Sequence, residues 1–134
     1  MNKEQNKKLM TIAEEVLQND KCKLYKSPGV IFKSYNGQVS ALGVSTLTIG
    51  LKATLAVYYS DKPKQEGKAY RQLLLDVIVE MMNEKNKTKY KDSEAFVREV
   101  MKNRDADKEK SWKRDLIDCS VALKQVIRTY KLDE

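Results

Sequence analysis

Two thiols, Cys22 and Cys119, are the first candidates for a nucleophile or a metal ligand in this 134-residue chain. They stand far apart, without a Cys-x-x-Cys spacing, and the sequence contains no histidine to complete a metal set or to act as a base beside them. Cys119 falls in an apolar run and reads as a core residue. The lack of histidine removes His-based acid and base catalysis, Ser-His and Cys-His pairs, histidine-dependent ribonuclease chemistry and most catalytic zinc sites. Carboxylate, lysine and tyrosine chemistry remains, but no spacing gathers those groups into a constellation. The expectation is a protein with no catalytic residues, no metal and no cofactor.

Charge is the other chemical signal. Lys and Arg number 26 against 19 Asp and Glu, for a formal charge of +7 and a pI near 9.3. Such a surplus is compatible with a polyanionic partner. It is spread along the chain and does not form a basic tail, so a binding surface has to be assembled by folding. Around the turn at Ser27-Pro28-Gly29, Lys23, Lys26 and Lys33 alternate with Tyr25 and Phe32. Cations interleaved with rings are the composition of a single-strand nucleic-acid surface; the same residues also suit a solvated loop whose two aromatics cap a core. Lys62 and Lys64 follow the next break, and Lys113, Arg114, Lys124 and Arg128 lie off the apolar stripe of the last helix. These nine residues are the candidate contacts to a polyanionic partner.

The elements that must position them read as helices. Few glycines and prolines and a 3.6-residue apolar period favour an all-α fold, a single-domain bundle of about five to six helices over residues 1–134. Leu9, Ile12, Ala13, Val16 and Leu17 give a first helix over about 3–18. Ala69 through Met82 give a broadly apolar helix over 67–83, and Phe96, Val97, Val100 and Met101 a short one over 93–103 behind an Asp92 or Ser93 cap. The last, over 106–131, carries Trp112, Leu116, Cys119 and Leu123 on one stripe.

Between the first two lies the stretch the others are expected to surround. Tyr35 to Tyr59 carries one charge, Lys52, and reads as one continuous helix over 35–59 with Val39, Leu42, Gly43, Thr46, Leu47, Gly50, Leu51, Thr54, Val57 and Tyr58 on its buried stripe. Gly43 and Gly50 each cost about 1 kcal/mol within a helix, so both are expected to admit a neighbouring helix at close range. A leucine at either position should then overpack the contact, at about 1–3 kcal/mol. Lys52 and the interspersed Ser and Thr argue against a membrane span. The first residues hold no uninterrupted apolar segment of the secretory kind, so a cytoplasmic location is the default.

The run Ser40 to Tyr58, SALGVSTLTIGLKATLAVY, resembles the small subunit of the type III-B CRISPR effector, the Cmr complex. The residues that carry the resemblance are Ser40, Ala41 and Gly43, then Gly50-Leu51, then Thr54, Leu55, Ala56 and Tyr58. The order of the flanking helices fits as well, whereas Leu42 and Lys52 depart from the usual pattern. The resemblance implies an all-helical, non-catalytic antiviral-defence protein. Its partners would be other Cmr subunits, further copies of itself, and guide and target RNA, with no membrane and no small-molecule substrate. It also implies contacts to the RNA backbone through the basic residues named above. The alternative from another class is a small helical nucleic-acid-binding regulator, a dimeric DNA-binding protein reading DNA with its last helix. A type III-A small subunit would share the role but not the motif.

Overall fold

The computed structural model describes residues 1–134. Helix α1, Lys3–Leu17, starts at a capping box in which Asn2 accepts from the Gln5 amide at 2.8 Å while the Gln5 side chain accepts from the Asn2 amide at 3.2 Å. It buries Leu9, Ala13, Val16 and Leu17. A hairpin follows, β1 (Tyr25–Ser27) antiparallel to β2 (Val30–Phe32), turning through Pro28 and through Gly29 at φ +76°. Then come α2 (Ser34–Thr48), α3 (Leu51–Ser60), α4 (Arg71–Asn86), α5 (Ser93–Lys102) and α6 (Ala106–Ile127). A last strand, β3 (Lys131–Asp133), lies parallel to β2 and completes a three-stranded sheet of order β1-β2-β3. The fold is thus all-α in character, six helices with a small sheet pinning the C-terminal residues to the hairpin after α1.

Helix α4 is the hub, packed against each of the other five helices and buried along Leu74, Leu75, Val77, Ile78, Val79, Met81 and Met82. It begins at Arg71, not Gly67, because the Asp61 carboxylate accepts the Arg71 amide at 2.8 Å while Tyr70 stays extended. It runs to Asn86, where Lys87 turns into the left-handed region. Asp92 caps α5 through the Ala95 amide, and Asp105 caps α6 through the amides of Asp107 and Lys108. Helix α6 stops at Ile127, short of the expected 131: Thr129 and Tyr130 close it with turn bonds to Val126 and Ile127, and the free edge of β2 takes the remaining residues as a strand.

The 35–59 helix is not continuous. Gly50 sits at φ +94°, ψ +168°, a region that is essentially glycine's alone, and divides the stretch into α2 and α3. Thr48 turns its hydroxyl back onto the Val44 carbonyl at 3.0 Å, a bond that competes with regular helix geometry just before the break. The bend resets the helical phase. Tyr35, Val39, Leu42 and Thr46 are the buried row of α2, and an unbroken helix would extend it through Ile49 and Val57; after Gly50 the row restarts at Leu51, Thr54, Leu55 and Tyr58. Leu47 and Val57, placed on the buried stripe by periodicity, are 63% and 51% exposed.

Neither glycine is an approach site. A Cβ built on Gly43 or Gly50 meets nothing within 4 Å, so overpacking cannot arise at either; Gly50 is required for its backbone conformation alone. The two arms are joined instead by polar contacts. The Ser45 and Thr54 hydroxyls meet at 3.0 Å, and the Tyr58 hydroxyl donates to the Gln38 carbonyl at 2.6 Å. The buried Tyr35 hydroxyl accepts from the Tyr70 amide at 3.1 Å, and burial pushes its pKa up to about 12.

Candidate nucleic-acid interface

Leu24 is fully buried, which leaves its neighbours Lys23 and Tyr25 at the surface. Tyr25 leans on the sheet, donating its hydroxyl to the Leu17 carbonyl at 2.6 Å and standing edge-on to Tyr130. Opposite, the segment between α3 and α4 turns at Gly67, φ +78°, and brings Lys64 and Lys68 over the hairpin. The result is a groove of about 500 Å³ with Cys22, Tyr25, Phe32 and Leu73 in its walls and Lys23, Lys64 and Lys68 at its rim. Glu66 is the one acid lining it, and none of the three lysines makes an ion pair. Two candidates from separate sequence segments, Lys23 and Lys64, therefore come together. Lys68, assigned from sequence to the start of a helix, joins them because that helix begins three residues later.

The remaining candidates lie elsewhere. Lys26 is held at the C-terminus by Asp133 at 3.4 Å and by the Glu134 carbonyl. Lys33 is exposed where β2 passes into α2, with its backbone amide on the Asp133 carbonyl. Lys62 points away from Lys64, its ammonium 4.9 Å from the Tyr59 ring centroid in a depression also lined by Asp76, Asp92 and Glu94. Arg114 shares a second depression with Lys85, Asp115 and Asp118. Lys113, Lys124 and Arg128 share one side of α6, where the Arg128 guanidinium donates to Asn36 at 3.2 Å. Asp115 of the same helix is buried and accepts from Lys85 at 2.8 Å and Asn86 at 3.0 Å.

A second surface was not visible in the sequence. Val44 and Leu47 on the outer side of α2, Ile49 at the break and Val57 on α3 project outward, each more than half exposed. Ala41, Ala53 and Ala56 are exposed beside them, so Ala41 and Ala56 of the recognised motif are not core residues. The one charge of these two helices is turned away from that surface. Lys52 donates to the Asn103 carbonyl at 3.0 Å and the Met101 carbonyl at 3.4 Å, capping the end of α5.

The thiols are poorly disposed to react. Burial pushes Cys119 up to about 12 and raises Cys22 as well, keeping both protonated near neutral pH. No group of three or more Cys, Asp or Glu side chains comes together as a metal site, and no helix is long and apolar enough to cross a membrane. A helix entering a DNA groove needs a cationic leading end. That of α6 sets Asp105, Asp107 and Glu109 against Arg104, Lys108 and Lys110 and so carries no net positive charge, which lends the DNA-regulator alternative no support.

By architecture this is a small all-α protein with one unpaired cationic groove and one uncharged outer face. The family model described as CRISPR-associated protein (Cas_Cmr5) matches residues 1–129, and the chain belongs to that family. It is therefore a CRISPR-associated small subunit of the Cmr effector, as the Ser40–Tyr58 resemblance indicated. No curated protein and no solved structure shows significant similarity to the chain.

Proposed function

We propose that this protein is the non-catalytic small subunit of a type III-B effector, stacking with other copies along the complex and contacting the backbone of guide or target RNA. The observation that carries the reading is the separation of two surfaces on one small fold: Lys23, Lys64 and Lys68 without ion-pair partners, and Val44, Leu47, Ile49 and Val57 without covering. Base pairing between guide and target supplies sequence recognition in RNA-guided assemblies, so the protein's part is electrostatic and structural. Lys33, Lys113, Lys124 and Arg128 add to the cationic surface. Lys26, Lys62 and Arg114 lie among acids or carbonyls and contribute less.

The test is reconstitution of the effector with two variants. Reversal of Lys23, Lys64 and Lys68 to Glu leaves the helical circular dichroism intact and lowers RNA affinity. It also flattens the dependence of log K on log salt by about 2, from about 0.7 per single-strand phosphate. Leu47→Glu with Val57→Glu instead blocks incorporation. Normal incorporation and unchanged salt dependence for both variants would falsify the reading.

A further inference from the structure

We propose that the groove between the hairpin and the 61–70 segment seats one unstacked base of a single RNA strand, with the flanking phosphates held by Lys23, Lys64 and Lys68. The inference rests on the RNA-contact reading above and goes past backbone contact. Lysines that serve only phosphates need no concavity. These three instead rim a concavity whose volume of about 500 Å³ falls within the range of roughly 300–1,000 Å³ occupied by small-ligand sites. The walls present the half-buried Tyr25 ring, with Leu73 and the largely buried Phe32 beside it, an apolar lining that a phosphate cannot use and a base can.

Both rings are fixed in place. Tyr25 is held by the Leu17 carbonyl and by Tyr130, and Phe32 stands edge-on to Tyr35 with centroids 6.2 Å apart. Little side-chain ordering therefore has to be paid for on binding. Glu66 adds one hydrogen-bond acceptor to the groove. Its carboxylate can accept a hydrogen bond from the amino group of adenine, cytosine or guanine.

The measurement is fluorescence anisotropy of the full-length chain with a 12-nucleotide RNA, and with an oligonucleotide of the same length and charge lacking its bases. Stacking in such sites is worth roughly 1–3 kcal/mol per base, so the base-bearing strand is expected to bind about 5- to 150-fold more tightly. Photo-crosslinking with 5-iodouridine RNA is expected to mark Tyr25. Equal affinity for the two strands overturns the base site while leaving the backbone reading intact. No binding of either strand at low salt overturns both. Poly-glutamate of matched charge competing as well as RNA assigns the groove to acidic polymers and also overturns the base site.

Discussion

Substituting alanine for Gly50 and, separately, for Gly43 should move stability in opposite directions. Both glycines lie in the low-charge stretch, and neither has an atom within 4 Å of a built Cβ, so size cannot distinguish them. Backbone conformation does. Gly43 lies within α2, where alanine recovers up to about 1 kcal/mol of helix propensity. Gly50 holds φ +94°, ψ +168°, where a side chain costs about 1–3 kcal/mol. In a chain of 134 residues that loss lowers Tm by roughly 3–12 °C, and Gly43→Ala raises it by up to about 5 °C. Urea titration followed by circular dichroism at 222 nm gives both free energies. Gly50→Leu adds a discriminating arm: a conformational cost makes leucine about as harmful as alanine, whereas a steric cost makes it much worse. A Gly50→Ala protein as stable as the parent would mean that α2 and α3 fuse into one helix in solution, and the geometry of the outer face would fall with the break.

Lys52→Met removes the ammonium from the Met101 and Asn103 carbonyls and should cost about 1–2 kcal/mol in urea unfolding, discounted from the value for a fully buried charged bond because Lys52 is partly exposed. Asp115→Ala strands Lys85 and Asn86 between α4 and α6; with the Lys85 side chain 35% exposed, the loss should be about 1–3 kcal/mol, less than for a fully buried pair, with an unchanged urea m-value. Asp76 has its pKa raised, chiefly by burial and against the Ser93 hydrogen bonds. Its folded form thus holds the proton more tightly than the unfolded chain. That contribution to stability is fully present below the unfolded pKa and is lost as pH rises through the folded pKa. Asp76→Asn keeps an oxygen acceptor for the Ser93 amide, so it should abolish this pH-dependent component when urea midpoints are compared at pH 4 and pH 7.

What the sequence made legible was local. Helices α1 and α5 follow from apolar spacing and nearby polar caps, and Ser27-Pro28-Gly29 marks its turn. Three features rest on contacts between distant residues and leave little local trace. Strand β3 pairs with β2 across about a hundred residues, which ends the expected 106–131 helix early, takes Lys131–Asp133 as a strand and ties up Lys26. The start of α4 depends on Asp61 reaching back to the Arg71 amide, and that shift of four residues releases Lys68 into the groove. The break at Gly50 is the least legible, because apolar residues before and after it allow a continuous stripe to be drawn through Leu47 and Val57. Only the phase of burial on either side exposes the discontinuity.

That discontinuity bears directly on how copies of a +7 chain could associate. Like-charged copies repel, and a contact between them is favoured where the surface carries no charge. In a straight helix over 35–59, the buried row of α2 would have continued through Ile49 and Val57. Bent at Gly50, the same sequence satisfies the core with Leu51, Thr54, Leu55 and Tyr58 and leaves Val44, Leu47, Ile49 and Val57 outside. The single cation of the two helices is drawn off that face to cap α5. Lys52 thereby couples the fold to the proposed docking: its bond to the Asn103 carbonyl secures the end of one helix and keeps the adjoining surface neutral. The lysines that remain free, Lys23, Lys64 and Lys68, are gathered at the hairpin, where an anionic strand and not a second copy is the complementary partner.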